Sequence, residues 1–448
     1  MIVRFKVSNF LSILHEQELS LYPSVVRLLN DHVYKSKNTK LPHILKSSLI
    51  YGANSSGKSN LIKAMAFSRN LICNSQENDI LNVPIFKLLE NQEQETIFTY
   101  EILLNDICYL YSFTLVNGLI KEESLKSVTT KSEKNIFERI TNAEKVNVTF
   151  DIKFKFRDKE SKIFHHTISK GTRTNQLFIN YINLQNAGEI EDVFKEIYYW
   201  FNNKLIIIFP EDKGFTFEIK VSEVKDLWKF YNKYLNLLDT GIDELYFDEF
   251  PLDDTKSIIA DIIKIKMVQK AILKNEATLI QLRGDTYYVQ KHSNEFKVKK
   301  LKASHKLRDC NDYVQFDFHE ESDGTNRIID LIPLLYMLEQ GHTVIIDEID
   351  RSLHSLISIK IFDLFFKNTL NIPSQIIATT HDLMLLNLNI IRRDEIWFIK
   401  KDQKRQSILY SLEQFKTRFD TKLLKAYLDG RFGAIPILID EALDDISS

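Results

Sequence analysis

Cysteine is scarce. The chain of 448 residues has three, Cys73, Cys108 and Cys310, standing far apart. They lack metal-ligand spacing, which excludes a cysteine-built metal site and fits a reducing cytosol. No apolar run approaches the roughly 20 residues of a membrane-spanning helix. The opening MIVRFKVSNF lacks the apolar core of a signal peptide. A soluble, cytoplasmic protein is expected, with any membrane role coming through a partner. An excess of one charge is also missing: Lys and Arg number 59, Asp and Glu 61, for a formal net charge of −2. That removes any global attraction to nucleic acid, so DNA contact would need a local patch. The best candidate is Lys291, Lys297, Lys299, Lys300, Lys302, Lys306 and Arg308. No stacking aromatics are interleaved there, and a solvated hairpin face is the plainer reading. Internal repeats, low-complexity segments and the sustained heptads of a long coiled coil are absent as well.

What is present is LIYGANSSGKSNLIKAM, residues 49–65. Leu49, Ile50 and Tyr51 read as the end of a buried strand, and Leu61, Ile62, Met65 and Ala66 recur at helical spacing. Between them, Gly52 to Ser59 fits G-x-x-x-x-G-K-[ST], a loop that wraps a polyphosphate. Gly52 and Gly57 give its backbone N–H groups room, and the following helix offers its free N–H groups and positive dipole end. Lys58 can reach the β- and γ-phosphates, and the Ser59 hydroxyl can ligate Mg²⁺. Asn54 and Asn60, in the same stretch, complete the nucleotide-binding set.

Three further pieces join it. The apolar strand Val344 to Ile346 ends in Asp347-Glu348. That places two carboxylates at the carboxyl edge of a parallel sheet, where α/β folds bind ligands. Asp347 would hold Mg²⁺ and Glu348 would polarise the attacking water. SQIIATTHD ends another strand in Thr379-Thr380-His381-Asp382. His381 can contact the γ-phosphate or the attacking water, while the bland alternative is a helix cap at Thr380 or Asp382. Ser322-Asp323-Gly324-Thr325 opens an apolar-faced helix, either as an ordinary N-cap or as a second anion site completing a site on another subunit.

Along the chain, IVRFKVSNFLSI reads as a first strand. ETIFTYEILLNDICYLYSFTLVNGLIKEESL reads as three more, with turns at Asn105-Asp106 and Asn117-Gly118. NVTFDIKFKFRD adds another, KLIIIFP is a short buried strand, and TLIQLRGDTYYVQKHSNEFKVKKL is a set of hairpin strands with a turn at Gly284-Asp285. Residues 174–277 are otherwise expected to be mostly helical. There the adjacent Tyr198, Tyr199 and Trp200 cannot all face inward on one helix, and Trp228 and Tyr231 add to the aromatic content. From Gln315 strands and helices alternate, as in a parallel, helix-covered sheet. The expected fold is α/β, a mixed sheet with an antiparallel subsheet and a helical insertion. The expected segments are 1–170, an N-terminal ATPase lobe; 171–285, mainly helical; and 286–448, a C-terminal ATPase lobe.

In this order of pieces the chain resembles the ABC-type ATPase heads of the RecF/SMC group. Within it the chain is most similar to the AAA-labelled ATPases of bacterial abortive-infection and restriction-linked loci, the RloA and AbiLi type. FKVSNFLSI, NQLFINYINLQN, LLDTGIDEL, IIRRDEIWFIKKD, LYSLEQFKTRFD and YLDGRFGAIPIL carry that likeness. The resemblance implies a P-loop NTPase using ATP and Mg²⁺. Lys58 and Ser59 match the Walker A lysine and hydroxyl, Asp347 the Walker B aspartate, Glu348 the catalytic glutamate and His381 the switch histidine. Ser322 and Gly324 match the signature that contacts ATP bound to the opposite subunit, which implies an ATP-dependent homodimer or higher homo-oligomer. The signature here reads Glu-Ser-Asp-Gly-Thr, and His354 and Ser355 depart from the usual D-loop. The Q-loop glutamine has four candidates, Gln92, Gln94, Gln176 and Gln185.

Three functions are compatible with such a head. One is a defence ATPase that senses infection and controls a separate effector encoded by a neighbouring gene. Another is a RecF/SMC-like DNA-repair or DNA-maintenance ATPase. The third is a nuclease-fused relative, which would need a further domain of at least about 100 residues. Only some sixty residues follow Asp382, so no nuclease site is expected, and the tail segments favour defence.

Overall fold

The structure, a computed structural model, describes residues 1–25, 28–36, 38–74, 81–88, 95–142, 145–185, 188–212, 217–219, 224–249, 277–282, 285–292, 295–307, 310–415 and 423–435. Gln92, Gln94, Gly284, Arg308, the stretch 250–276 and the terminal DEALDDISS lie outside the described residues, as do the side chains of Lys291 and Lys297. Two compact units are built from non-contiguous chain: Met1–Ile208 with Gly341–Ile349 and Phe366–Ser448, and Phe209–Gln340 with Asp350–Phe365. The expected segments, by contrast, are contiguous.

The first unit holds two large sheets. One is antiparallel, in the order Lys145–Phe150, Ser132–Asn142, Leu119–Thr129, Ile107–Val116, Thr96–Leu104, Ile2–Ser8, Gln17–Ser20. Two of its tight turns fall where the sequence places them. Asn105 and Asp106 both have positive φ, as do Asn117 and Gly118. Leu104 pairs with Ile107 and Val116 with Leu119. Positive φ at both central residues is the two-residue turn whose twist matches a hairpin. The strand expected from NVTFDIKFKFRD stops at Phe150. Beyond it Phe154 and Phe156 turn back, with Phe156 meeting Phe150 at 5.4 Å between ring centres, so ring packing replaces strand pairing.

The other sheet runs Leu205–Ile208, Thr343–Ile346, Gln375–Thr379, Ser47–Tyr51, Ile396–Lys401, Ser407–Ser411. The first five strands are parallel, and the last pairs antiparallel. The three central strands are buried at every position, which is why they read as unbroken apolar runs rather than alternating ones. Helix Lys58–Cys73 buries Leu61, Ile62, Met65, Ser68 and Ile72 on one face. Truncating one such side chain, as in Met65→Ala, would cost about 2–5 kcal/mol.

The tail segment IIRRDEIWFIKKD has a structural task in this unit. Arg392 grips Asp394 with two bonds of 2.9 and 2.7 Å. Glu395 accepts from the Arg392 N–H at 2.7 Å and from Ser47 Oγ at 2.8 Å, and lies 2.8 Å from His32 Nδ1. These buried groups are charge-assisted partners, and they fix the start of Ser47–Tyr51, the strand that ends in the phosphate loop.

The second unit is described by itself. Its antiparallel sheet runs Phe217–Ile219, Ala277–Leu282, Asp285–His292, Glu295–Lys306, Glu244–Glu249, with Tyr313–Asp317 also on Glu295–Lys306. Within 174–277, expected to be mostly helical, the described part holds both helices and strands. Helices Phe178–Leu184, Asp192–Tyr199 and Val224–Leu237 are present, but Glu244–Glu249 is a strand paired with residues 299–304. Its partner lies some fifty residues on, beyond the reach of a local pattern.

Of the aromatic residues singled out, Trp200 and Tyr231 are buried and Trp228 packs edge-on against Phe247 at 4.4 Å. Tyr198 is half-buried and donates its hydroxyl to Cys73 O at 2.9 Å. Tyr199 alone of the trio is turned outward, 54% exposed. Lysines of the basic hairpin are paired: Lys300 Nζ lies 2.7 Å from Asp285 and 3.0 Å from Asp317, and Lys302 Nζ 2.9 Å from Asp248. Among the described residues no helix is long and apolar enough to cross a membrane, and no cluster of His, Cys, Asp and Glu is poised to hold a metal by itself.

Candidate nucleotide site

The strand Ser47–Tyr51 delivers the chain into a turn that ends at Gly57, the residue before helix Lys58–Cys73. Ser55 has φ 62° and Gly57 φ 112°. No side chain caps the helix start, and the Asn60 and Leu61 N–H groups donate to Gly57 O at 3.1 and 3.2 Å. Lys58 is buried and folds back, Nζ donating to Gly52 O at 2.9 Å and Ala53 O at 3.3 Å. Ser59 and Asn60 are half-buried and Asn54 is exposed. The loop fits a polyphosphate on one further count: Ser56 Oγ is buried inside it with no hydrogen-bond partner.

The glycines answer to a second demand that sequence reasoning missed. A Cβ on Gly52 would strike Ile399 O and come within 2.6 Å of Ser56 Oγ, and one on Gly57 would strike Ser407 Oγ. Both glycines are therefore required by the chain's own packing as well as by a ligand's approach. Ser407 Oγ donates to Ser56 O at 2.7 Å and lies 2.7 Å from Ser12 Oγ; Asn60 Nδ2 donates to Ser12 Oγ at 2.7 Å. Asn60, counted from sequence among the nucleotide contacts, is thus engaged in bracing the loop. No local pattern marks Ser12 or Ser407.

Two neighbouring parallel strands end beside this turn. Asp347 follows Thr343–Ile346, is 2% exposed, and its N–H donates to Ile208 O at 2.9 Å. Its Oδ1 accepts from Thr379 Oγ1 at 2.5 Å. Glu348, half-buried, has φ 52°, a left-handed conformation costly for a residue with a Cβ. Its N–H donates to the same Thr379 Oγ1 at 2.8 Å. Thr380 N–H donates to Ile50 O at 3.1 Å, so the end of Gln375–Thr379 is tied to the phosphate-loop strand as well. His381 follows, exposed. The cap belongs to the next residue: Asp382 Oδ1 accepts from Met384 N at 2.9 Å at the start of the turn Leu383–Leu385. Gly52, Lys58, Ser59, Asp347, Glu348 and His381 therefore stand at the carboxyl edge of one sheet.

Ser322 and Gly324 belong to the second unit. Ser322 is the N-cap of helix Asp323–Glu339, Oγ accepting from Thr325 N at 3.1 Å. A Cβ on Gly324 would lie 3.0 Å from Ser352 O, so that glycine keeps the helix start close to the turn at Ser352. Two residues on, His354 Nδ1 accepts from Leu356 N at 3.2 Å, acting as the cap that a polar residue supplies there. Of the Q-loop candidates described, Gln176 bonds Asn180 and Gln185 bonds Tyr181 O.

A phosphate loop between a buried parallel strand and its helix, with carboxylates closing the next strand but one of the same sheet, defines a P-loop NTPase fold. The chain belongs to the family described as "AAA domain, putative AbiEii toxin, Type IV TA system", which matches residues 47–387. It is similar to solved SMC heads. One is the SmcHead bound to the C-winged helix domain of ScpA, at 12% identity and TM-score 0.40, covering 92% of this chain and 98% of that one. Another is the SMC head domain from Thermotoga maritima, at 10% identity and TM-score 0.36, with the same coverage. A third is the Smc head domain with an extended coiled coil, bound to the C-terminal domain of ScpA derived from Pyrococcus furiosus. It stands at 12% identity and TM-score 0.36, with 92% and 97% covered. No curated protein matches.

Proposed function

We propose that the protein is an ATP-binding and ATP-hydrolysing sensor and scaffold of an anti-phage, abortive-infection system, and that it controls a separate effector protein. The observation that carries the ATPase reading is the gathering of Lys58, Ser59, Asp347 and Glu348 at one sheet edge, with Thr379 bonded to the Asp347 carboxylate and to the Glu348 backbone N–H. Lys58 neutralises the β- and γ-phosphates. Ser59 and Asp347 hold Mg²⁺, which when bound draws charge from the phosphate oxygens. Glu348 polarises the attacking water, and His381 contacts the γ-phosphate. Ser322 and Gly324 serve the site of a second copy. The family's description, a toxin of a two-part system, supports a head that works with a partner.

The runner-up, a DNA-repair head, needs a basic surface. Its best candidate loses force because Lys300 and Lys302 are neutralised by Asp285, Asp317 and Asp248. The discriminating experiment has two parts. Lys58→Ala should lose ATP binding, and Glu348→Gln should keep ATP and lose phosphate release; parental turnover by Glu348→Gln would refute the assignment. Expression with the neighbouring gene should then give co-purification and phage protection, each lost in Lys58→Ala. Protection by this chain alone, or nuclease activity lost on mutating its own carboxylates, would refute the scaffold reading.

A further inference from the structure

Thr379 carries two bonds that no other hydroxyl at the sheet edge is shown to carry together. Its Oγ1 donates to Asp347 Oδ1 at 2.5 Å and accepts from the Glu348 N–H at 2.8 Å. A threonine hydroxyl has one proton to give. The carboxylate takes it, and a lone pair is left for the amide, so the rotor is fixed from both sides. The backbone adds a third tie, Ile349 N–H to Thr379 O at 3.1 Å. Thr379 is itself fully buried at the end of Gln375–Thr379, in register with Ile50 of the phosphate-loop strand. Its hydroxyl thus has one address, and that address is shared by two acids with different work.

We propose that Thr379 is the positioning residue of this site, orienting the cation-holding carboxylate and the water-polarising residue as one unit. The inference rests on the roles given above to Asp347 and Glu348. Two consequences follow from the geometry. The bond to Asp347 falls on Oδ1, and no described residue is shown donating to Oδ2, so the carboxylate is turned with its second oxygen available to a cation. Such partners of a metal ligand set its orientation and basicity. The bond to the Glu348 amide holds a left-handed backbone, φ 52°, which persists only where its surroundings over-determine it. Releasing it would let Glu348 relax and lose its aim. Valine matches threonine in shape but can neither donate nor accept, whereas serine can do both.

The test is the Mg²⁺ dependence of ATP binding and of phosphate release in Thr379→Val, Thr379→Ser and Asp347→Asn, with thermal melting as the check on folding. Thr379→Val should bind ATP in EDTA like the parent. Its half-saturating Mg²⁺ concentration should rise about 10–100-fold, the usual effect of removing a ligand's supporting partner. Thr379→Ser should stay close to the parent. If Thr379→Val does not fold, Thr379→Cys replaces it: its weaker donor should give an intermediate shift, and a parental Mg²⁺ dependence would overturn the proposal. Equal loss in the serine and valine variants would also overturn it, since the methyl group, not the hydroxyl, would then matter. A shift in Asp347→Asn without one in Thr379→Val removes only the role of Thr379. No shift in Asp347→Asn removes the assignment of Asp347, and this inference with it.

Discussion

Ser12 and Ser407, 395 residues apart in the chain, meet with their hydroxyl oxygens 2.7 Å apart beneath the phosphate loop. Ser407 also donates to Ser56 O, and Ser12 receives the Asn60 amide. The loop is thereby pinned from below by two segments that read as unremarkable polar positions. Its conformation is preorganised rather than assembled around a ligand, which lowers the ordering cost of binding.

Ser407→Ala should therefore weaken nucleotide binding several-fold and lower stability by about 1–2 kcal/mol, because Ser56 O loses its donor and Ser12 Oγ its acceptor. Gly57→Ala should be far worse, since its Cβ meets Ser407 Oγ and its φ of 112° disfavours any side chain. Adding Ser407→Gly to Gly57→Ala removes the collision but not the backbone strain, so recovery should be partial. ATP titration and thermal melting of the four proteins check this. Full recovery in the double variant would show that φ is unimportant there.

How much of this was legible in the sequence depends on the range of the signal. The hairpin turns at Asn105-Asp106 and Asn117-Gly118 were, because two adjacent residues with positive φ announce themselves by type. The phosphate loop and the acids at the end of Thr343–Ile346 were, because each is a contiguous string. The strand Glu244–Glu249 was not, since what makes it a strand is pairing with residues 299–304. Ser12, Ser407 and the hydroxyl of Thr379 were not, because a hydroxyl's role is set by what the sheet brings next to it. For the basic hairpin, the lysines were visible but the register that pairs Lys300 with Asp285 and Asp317 was not.

A site shared between copies predicts complementation. Ser322→Arg should leave ATP binding by the isolated chain intact and reduce ATP-dependent association and turnover. Mixed with Lys58→Ala, it should regain part of the activity, because one composite site of the pair then keeps both intact halves. Sedimentation and phosphate release on the mixture measure this. Absence of rescue in samples shown to exchange subunits would count against Ser322 and Gly324 acting on a second copy.

Helix Asp323–Glu339 carries a partly buried carboxyl, Asp330. Burial pushes Asp330 up from its ordinary 3.8 to about 7, with Arg327 pulling the other way. A folded pKa above the unfolded one means that the folded state holds the proton more tightly. Asp330 thus favours folding below about 4, and that contribution is lost as pH rises through 7. Asp330→Asn should flatten this part of the profile, so the difference in melting temperature between variant and parent should grow from pH 4 to pH 8. An unchanged difference across that range would show that Asp330 titrates normally.

The proposed effector contact can be probed through neighbouring aromatic residues with opposite environments. Trp200 is buried, and Tyr199 beside it is 54% exposed at the end of helix Asp192–Tyr199. If the helical segment holds the effector, an outward aromatic is the kind of side chain that anchors such a contact. Tyr199→Ala should leave stability within about 0.5 kcal/mol of the parent's, as surface changes do, and should leave ATP hydrolysis intact. It should reduce co-purification of the neighbouring gene product and phage protection together. Trp200→Ala should instead cost about 3–5 kcal/mol through the cavity it leaves, with all functions falling alongside stability. The informative comparison is the pair. Equal losses in both would mean that the segment matters only for folding, and undiminished co-purification in Tyr199→Ala would move the effector contact elsewhere on the chain.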